Sequence, residues 1–140
     1  MKEDELRKQI KEILQKDPTI KRVDDKHGGV EFGIDLVFER EDPFGEVRKY
    51  GIQIKIGDIN ARIAKDIIAQ LLMAFGHPFP PDERSLDGVY VVTNGEINSY
   101  AQEQIKAARV GFREIHFIDG QILERFLQRG KAKIHVLREG

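Results

Sequence analysis

Two stretches of strict alternation, joined by a short turn, limit this chain more than any other feature. From Val30 to Arg40, Val30, Phe32, Ile34, Leu36 and Phe38 fall on one side of an extended strand. Glu31, Gly33, Asp35, Val37 and Glu39 fall on the other. Side chains alternate across a strand, so this pattern predicts a strand with one apolar face. Glu41–Glu46 (EDPFGE) holds Pro and Gly and predicts a turn. From Tyr50 to Ile56 alternation resumes. Ile52, Ile54 and Ile56 face the core, and Gly51, Gln53 and Lys55 face the opposite side. The two strands read as an antiparallel hairpin.

Helical spacing surrounds the hairpin. Lys2–Lys16 carries Leu6, Ile10, Ile13 and Leu14 on one face, and Asp17-Pro18 stops it. Ile20 and Val23 suggest a short strand. Asp58 or Asn60 is placed to cap a helix reaching about Phe75. Gly76–Asp87 holds three of the five prolines and reads as a loop, with the composition of a mobile one. Gly88–Thr93 (GVYVVT) is a continuous apolar run, expected of a strand buried on both faces. A helix over Ile97–Val110, a strand over Glu114–Ile118 and a helix over Gln121–Gln128 follow, with Ile134–Leu137 as a final edge strand. The order predicts an α/β fold: a central mixed sheet with an antiparallel hairpin, flanked by helices on both faces. The 140 residues suit one domain, 1–140.

Composition removes several classes. There is no cysteine, so disulfides, cysteine–zinc sites and thiol nucleophiles are excluded. With 23 Lys+Arg against 24 Asp+Glu, overall charge signals no nucleic-acid binder, although a local basic face survives a neutral sum. No apolar run is long enough to span a bilayer, and MKEDELRKQI is not a secretory signal, so a cytoplasmic protein without a membrane partner is expected.

The chemistry gathers on the polar side of the hairpin. Asp35 and Glu31 share a side of one strand, and Gln53 and Lys55 share a side of the next. Pairing can bring them to one sheet edge. A carboxylate, an amide carbonyl and an ammonium suit metal-assisted phosphodiester cleavage. Mg²⁺ takes oxygen ligands, here from Asp35, Gln53 and backbone carbonyls of that strand such as that of Ile54. Lys55 would orient the attacking water or stabilise charge on phosphorus. The plainer alternative is a solvated strand face.

At these residues the sequence resembles a known family. GGVEFGIDLVF followed by YGIQIKI is similar to the PD-(D/E)xK nuclease superfamily, and most to the Mrr-like restriction endonuclease catalytic domains. Their Gly-Ile-Asp-Leu aspartate matches Asp35, and their Gln-x-Lys matches Gln53-Ile54-Lys55. Val92-Thr93, a helix with Ala101, and Ile118–Gly120 opening a helix with Leu123 follow in the family's order. The resemblance implies a restriction-endonuclease-like fold, Mg²⁺ with Mn²⁺ as a substitute, and hydrolysis of nucleic acid, most plausibly double-stranded DNA. Many relatives also carry a glutamate on the first helix. Aligning the apolar residues puts Arg7 there, leaving Glu5, Glu12 and Glu31 as substitutes. That departure keeps open a catalytically silent module that binds nucleic acid or protein within a larger defence or ATPase system.

Other residues join the candidate site. Gln70 lies on the helix after the hairpin, where a glutamine of some superfamily members reaches the active site; the alternative is a solvated residue. Lys26, His27, Lys49, Arg62, Lys65 and Asn94 are candidates to touch nucleic acid, set against ordinary surface charge or, for Asn94, a turn or cap. A homodimer is expected because a duplex has two strands, with Phe79 and Leu86, or Ile134 and Val136, supplying the contact.

Overall fold

In the computed structural model, residues 2–26, 32–80, 82–108 and 110–139 are described, with side chains through position 132. The order is α1 (Glu3–Lys16), β1 (Ile20–Asp25), β2 (Leu36–Glu41), β3 (Val47–Lys55), α2 (Ala61–Ala74), β4 (Gly88–Thr93), α3 (Ser99–Ala107), β5 (Glu114–Ile118) and α4 (Gly120–Glu139). Five strands form one sheet in the order β1-β2-β3-β4-β5. The first three are antiparallel neighbours and the last three parallel ones. This is the expected α/β fold with a mixed sheet. No helix among the described residues is long and apolar enough to cross a membrane.

Both faces of the sheet are covered, which explains why β3 and β4 carry so few exposed side chains. One core joins Leu6, Ile10 and Leu14 of α1 and Leu123 of α4 to Leu36, Phe38, Ile52, Ile54 and Val92. The other joins Ala64, Ile67 and Leu71 of α2 and Ala101 and Ile105 of α3 to Val37, Val89 and Val91. Val37 and Gln53, expected on a polar face, therefore lie beneath α2 with almost no exposure. Asn60, not Asp58, caps α2: its side chain accepts from the backbone N of Ile63 at 3.0 Å.

Three expectations are corrected. Val30 and Glu31 lie outside the described residues, and from Phe32 on the strand begins only at Leu36. Phe32 and Gly33 both have positive φ, 54° and 78°, and turn the chain just before the site. That turn breaks the alternation, so Ile34 packs with Val37 beneath α2 and not with Leu36 and Phe38. Next, Ile134–Leu137 is not an edge strand, because α4 continues through it to Glu139. Gly130, which would ordinarily close a helix, lies instead where a Cβ would collide with Ile13 of α1. It serves as a close-packing point within a longer helix. Third, α3 is shorter than Ile97–Val110, starting at Ser99 behind an Asn98 cap.

The Gly76–Asp87 loop is anchored. Lys49 of β3 is fully buried, and its Nζ donates to the Phe79 carbonyl, to Asp82 Oδ1 at 2.8 Å and to the Arg84 carbonyl at 3.2 Å. Those bonds hold the Asp82 carboxyl well below the usual carboxylate range. Phe79 and Leu86 are buried in the α2-side core. They cannot supply the dimer contact expected of them. The side chains of Ile134 and Val136 lie outside the described set.

Candidate active site

The site forms where β3 ends and the chain enters β2. Leu36 pairs with Ile52 and Val37 with Gly51, and Asp35 lies just before the first paired residue of β2. The Asp35 N–H donates to the Ile52 carbonyl at 2.8 Å, and Asp35 Oδ2 accepts from the Ile54 N–H at 2.7 Å. The carboxylate is thus fixed against the strand that carries Gln53 and Lys55. The Lys26 N–H donates to the Asp35 carbonyl at 2.8 Å, which sets Lys26 at the same sheet end.

Gln53 and Lys55 both reach α2. Gln70 Oε1 accepts from Gln53 Nε2 and lies 3.5 Å from Lys55 Nζ. Gly33 lets these amides meet: a Cβ there would come within 2.5 Å of Gln70 Oε1 and 2.6 Å of Gln53 Nε2. The turn and the amide pair therefore require each other. Gln53 is fully buried, and its Oε1 has no hydrogen-bond partner among the described residues. A buried carbonyl oxygen without a donor costs stability unless something positive meets it.

The acid missing from the sequence reading is Glu3. Burial pushes the Asp35 carboxyl up to about 6. The neighbouring Glu3 carboxyl, within hydrogen-bonding reach, adds to the rise, while the Ile54 N–H and Lys55 oppose it. Two carboxyls at such range favour a shared proton or a cation between them. The signal was in the helix spacing. Extending the Arg7, Ile10, Leu14 stripe one turn toward the helix start lands on Glu3. Arg7 itself is buried, bound to Asp4 at 2.7 Å and to Asp25 at 3.2 Å. Glu12 lies about 13 Å farther along α1 than Glu3 and is exposed.

The remaining candidates separate. Arg62 and Lys65 are exposed on the first turns of α2. Asn94 is exposed, and its Oδ1 accepts from the Gly57 N–H at 2.8 Å, tying the ends of β3 and β4 together. Lys49 is withdrawn from the nucleic-acid surface: it is interior and held by the 79–84 loop. His27 and Glu31 lie outside the described residues. Among the described residues no three Asp, Glu, His or Cys side chains gather as a metal cluster. Any cation here would rest on two carboxyls together with amide and backbone oxygens.

The Mrr catalytic-domain family model, described as a restriction endonuclease, matches residues 1–127. The chain belongs to this restriction endonuclease family. For the Mrr catalytic domain, the matched span takes in every site residue described above, from Glu3 through Asn94. Among solved structures the chain is similar to the MspJI restriction endonuclease in complex with a 27-mer oligonucleotide. The TM-score is 0.45 and the identity 13%, over 86% of this chain and 26% of that one. This chain thus spans about a quarter of that protein's length. No curated protein matches.

Proposed function

We propose that this Mrr-family domain hydrolyses phosphodiester bonds of double-stranded DNA with a divalent cation, Mg²⁺ by preference and Mn²⁺ as a substitute. The observation that carries the reading is the buried Gln53 Oε1, without a partner among the described residues, at the sheet end that also holds Asp35, Glu3 and Lys55. The donor set fits a hard cation: carboxylates of Asp35 and Glu3, the Gln53 amide oxygen and the Ile54 carbonyl are all oxygen ligands. When bound, the ion supplies charge neutralisation on the phosphate and acidifies a water.

The chain's own groups set up the rest. The Ile54 N–H fixes the direction of the Asp35 carboxylate. Gln70 takes one hydrogen from each of its two neighbours, Gln53 and Lys55. That turns the Gln53 carbonyl away from Gln70. It also leaves two of the three Lys55 N–H donors for the attacking water and a phosphate oxygen. Charge on those oxygens grows as the phosphorus–oxygen bond forms, so the ammonium acts more strongly on the transition state than on bound substrate. Lys26, Arg62, Lys65 and Asn94 are proposed to hold the DNA backbone.

Against the silent binding module stands Glu3 of α1, whose carboxyl acts on Asp35. A homodimer in the cytoplasm remains part of this reading, because one small site cuts one strand; light scattering at high micromolar concentration should give twice the chain mass. The deciding experiment incubates the protein with supercoiled, linear and single-stranded DNA, with Mg²⁺, Mn²⁺ or chelator. Nicking that requires the cation is expected. DNA binding without cleavage under every cation would favour the silent module.

A further inference from the structure

Away from Asp35, a cavity of about 300 Å³ opens between α1, α4 and the sheet. That volume sits at the lower end of the range for small-molecule sites, about 300–1,000 Å³. Its walls are mainly aliphatic, with Ile10 and Leu14 from α1, Val92 from β4 and Ile122 from α4. Phe38, Tyr90 and Phe126 also line it. Two cations, Arg40 and Arg129, also line it. Both are exposed residues, and neither guanidinium has a carboxylate partner among the described residues. The lining carboxylate, Asp17, is engaged: its Oδ1 accepts from the Thr19 N–H at 2.8 Å and the Thr19 hydroxyl at 2.7 Å. Arg40 also lines a second cavity, with Pro18, Thr19, Glu41, Asp42 and Tyr50. One residue, Arg40, thus borders both cavities.

We infer that this chamber binds an amphipathic anion: a medium-length aliphatic chain ending in a carboxylate, the chain among the aliphatic walls and the carboxylate on Arg40 and Arg129. Charge complementarity selects the anion, since planar guanidinium forks match carboxylates. Aliphatic walls outnumber aromatic ones, which favours an acyl chain over a flat ring. The site is separate from the nuclease site, but they share α1, which carries Ile10 and Leu14 at the cavity and Glu3 beside Asp35.

The test uses the whole chain and decanoate below its micellar concentration. Calorimetry should give one bound decanoate per chain, and saturating ligand should raise the thermal midpoint by about 3 °C or more. Decylamine and decanol, with the same chain and no negative charge, should bind at least tenfold more weakly. Arg40→Gln with Arg129→Gln should remove at least nine-tenths of the affinity. These residues are exposed, so the variant is expected to fold. Ile122→Trp, at a partly exposed wall position, should fill the chamber and abolish binding by the folded protein. Equal binding of decanoate, decanol and decylamine, or unchanged binding by the arginine variant, would overturn the site. So would a response only to anionic phospholipid vesicles, which would mean surface adsorption. None of these readouts depends on DNA cleavage.

Discussion

Asp35 Oδ2 accepts the Ile54 N–H at 2.7 Å while the Glu3 carboxyl faces the same carboxylate from the first turn of α1. The strand orients the acid, and the helix crowds it with a second one. Folding therefore raises the Asp35 pKa, mainly by burial and then through Glu3. An acid with a raised folded-state pKa binds its proton more tightly in the folded chain. Its favourable contribution is full below the ordinary Asp range and is lost as pH rises through about 6. Asp35→Asn should thus stabilise the cation-free protein at pH 8, by about 1–2 kcal/mol. The amide can accept from Ile54 and donate to Glu3. Thermal melts at pH 4 and pH 8 check this. A lower midpoint for the variant at pH 8 would show that Asp35 is not under this strain.

Glu3 carries the next prediction. Glu3→Gln should lower cleavage at limiting Mg²⁺ by about tenfold, with recovery as Mg²⁺ is raised, because second-carboxylate loss weakens a hard-cation site. Glu12→Gln should leave both the rate and its Mg²⁺ dependence unchanged. Equal effects of the two substitutions in a Mg²⁺ titration would remove Glu3 from the site.

Gln70 is a positioning residue in this account. Gln70→Leu takes away the acceptor shared by Gln53 and Lys55. We expect turnover to fall about 10- to 100-fold, with KM for DNA changed less than threefold, as for an interaction that matters in the transition state. A matching rise in KM with unchanged kcat would instead make Gln70 a substrate contact.

Charged residues of the same type should behave in opposite ways. Lys49→Met leaves two carbonyls and Asp82 without their buried ammonium, and should cost about 2–4 kcal/mol of stability. Arg62→Ala and Lys65→Ala should change stability by less than about 0.5 kcal/mol. Each should instead weaken DNA binding and reduce the salt slope by about one. Denaturation and binding titrations at several salt concentrations separate the two behaviours.

Much of this was legible from the residues. Helical and alternating periods placed the four helices and five strands of the described residues in order, and one strand too many at Ile134–Leu137, because both cores demand apolar residues at those spacings. Asp35, Gln53 and Lys55 shared a parity in the alternating pattern, and the bonds of Ile54 to Asp35 and of Gln53 and Lys55 to Gln70 set them at one sheet end. Parity also put Lys49 on that side, but only the fold shows the 79–84 loop closing over it. The left-handed Phe32 had no signal in its identity, since a bulky residue seldom takes positive φ. Glu3 was hidden because its neighbour Arg7 occupied the stripe first, and an arginine paired with Asp4 and Asp25 looks the same in sequence as one that is free.

The central claim is that Lys55, beside Asp35 and Gln53, drives DNA hydrolysis. Its most direct test is the rate of supercoiled plasmid nicking in Mg²⁺ by wild-type and Lys55→Ala protein purified in parallel. The account predicts Mg²⁺-dependent nicking that Lys55→Ala lowers by at least 100-fold, with DNA affinity within threefold and an unchanged thermal midpoint. A Lys55→Ala protein that nicks at the wild-type rate would contradict it.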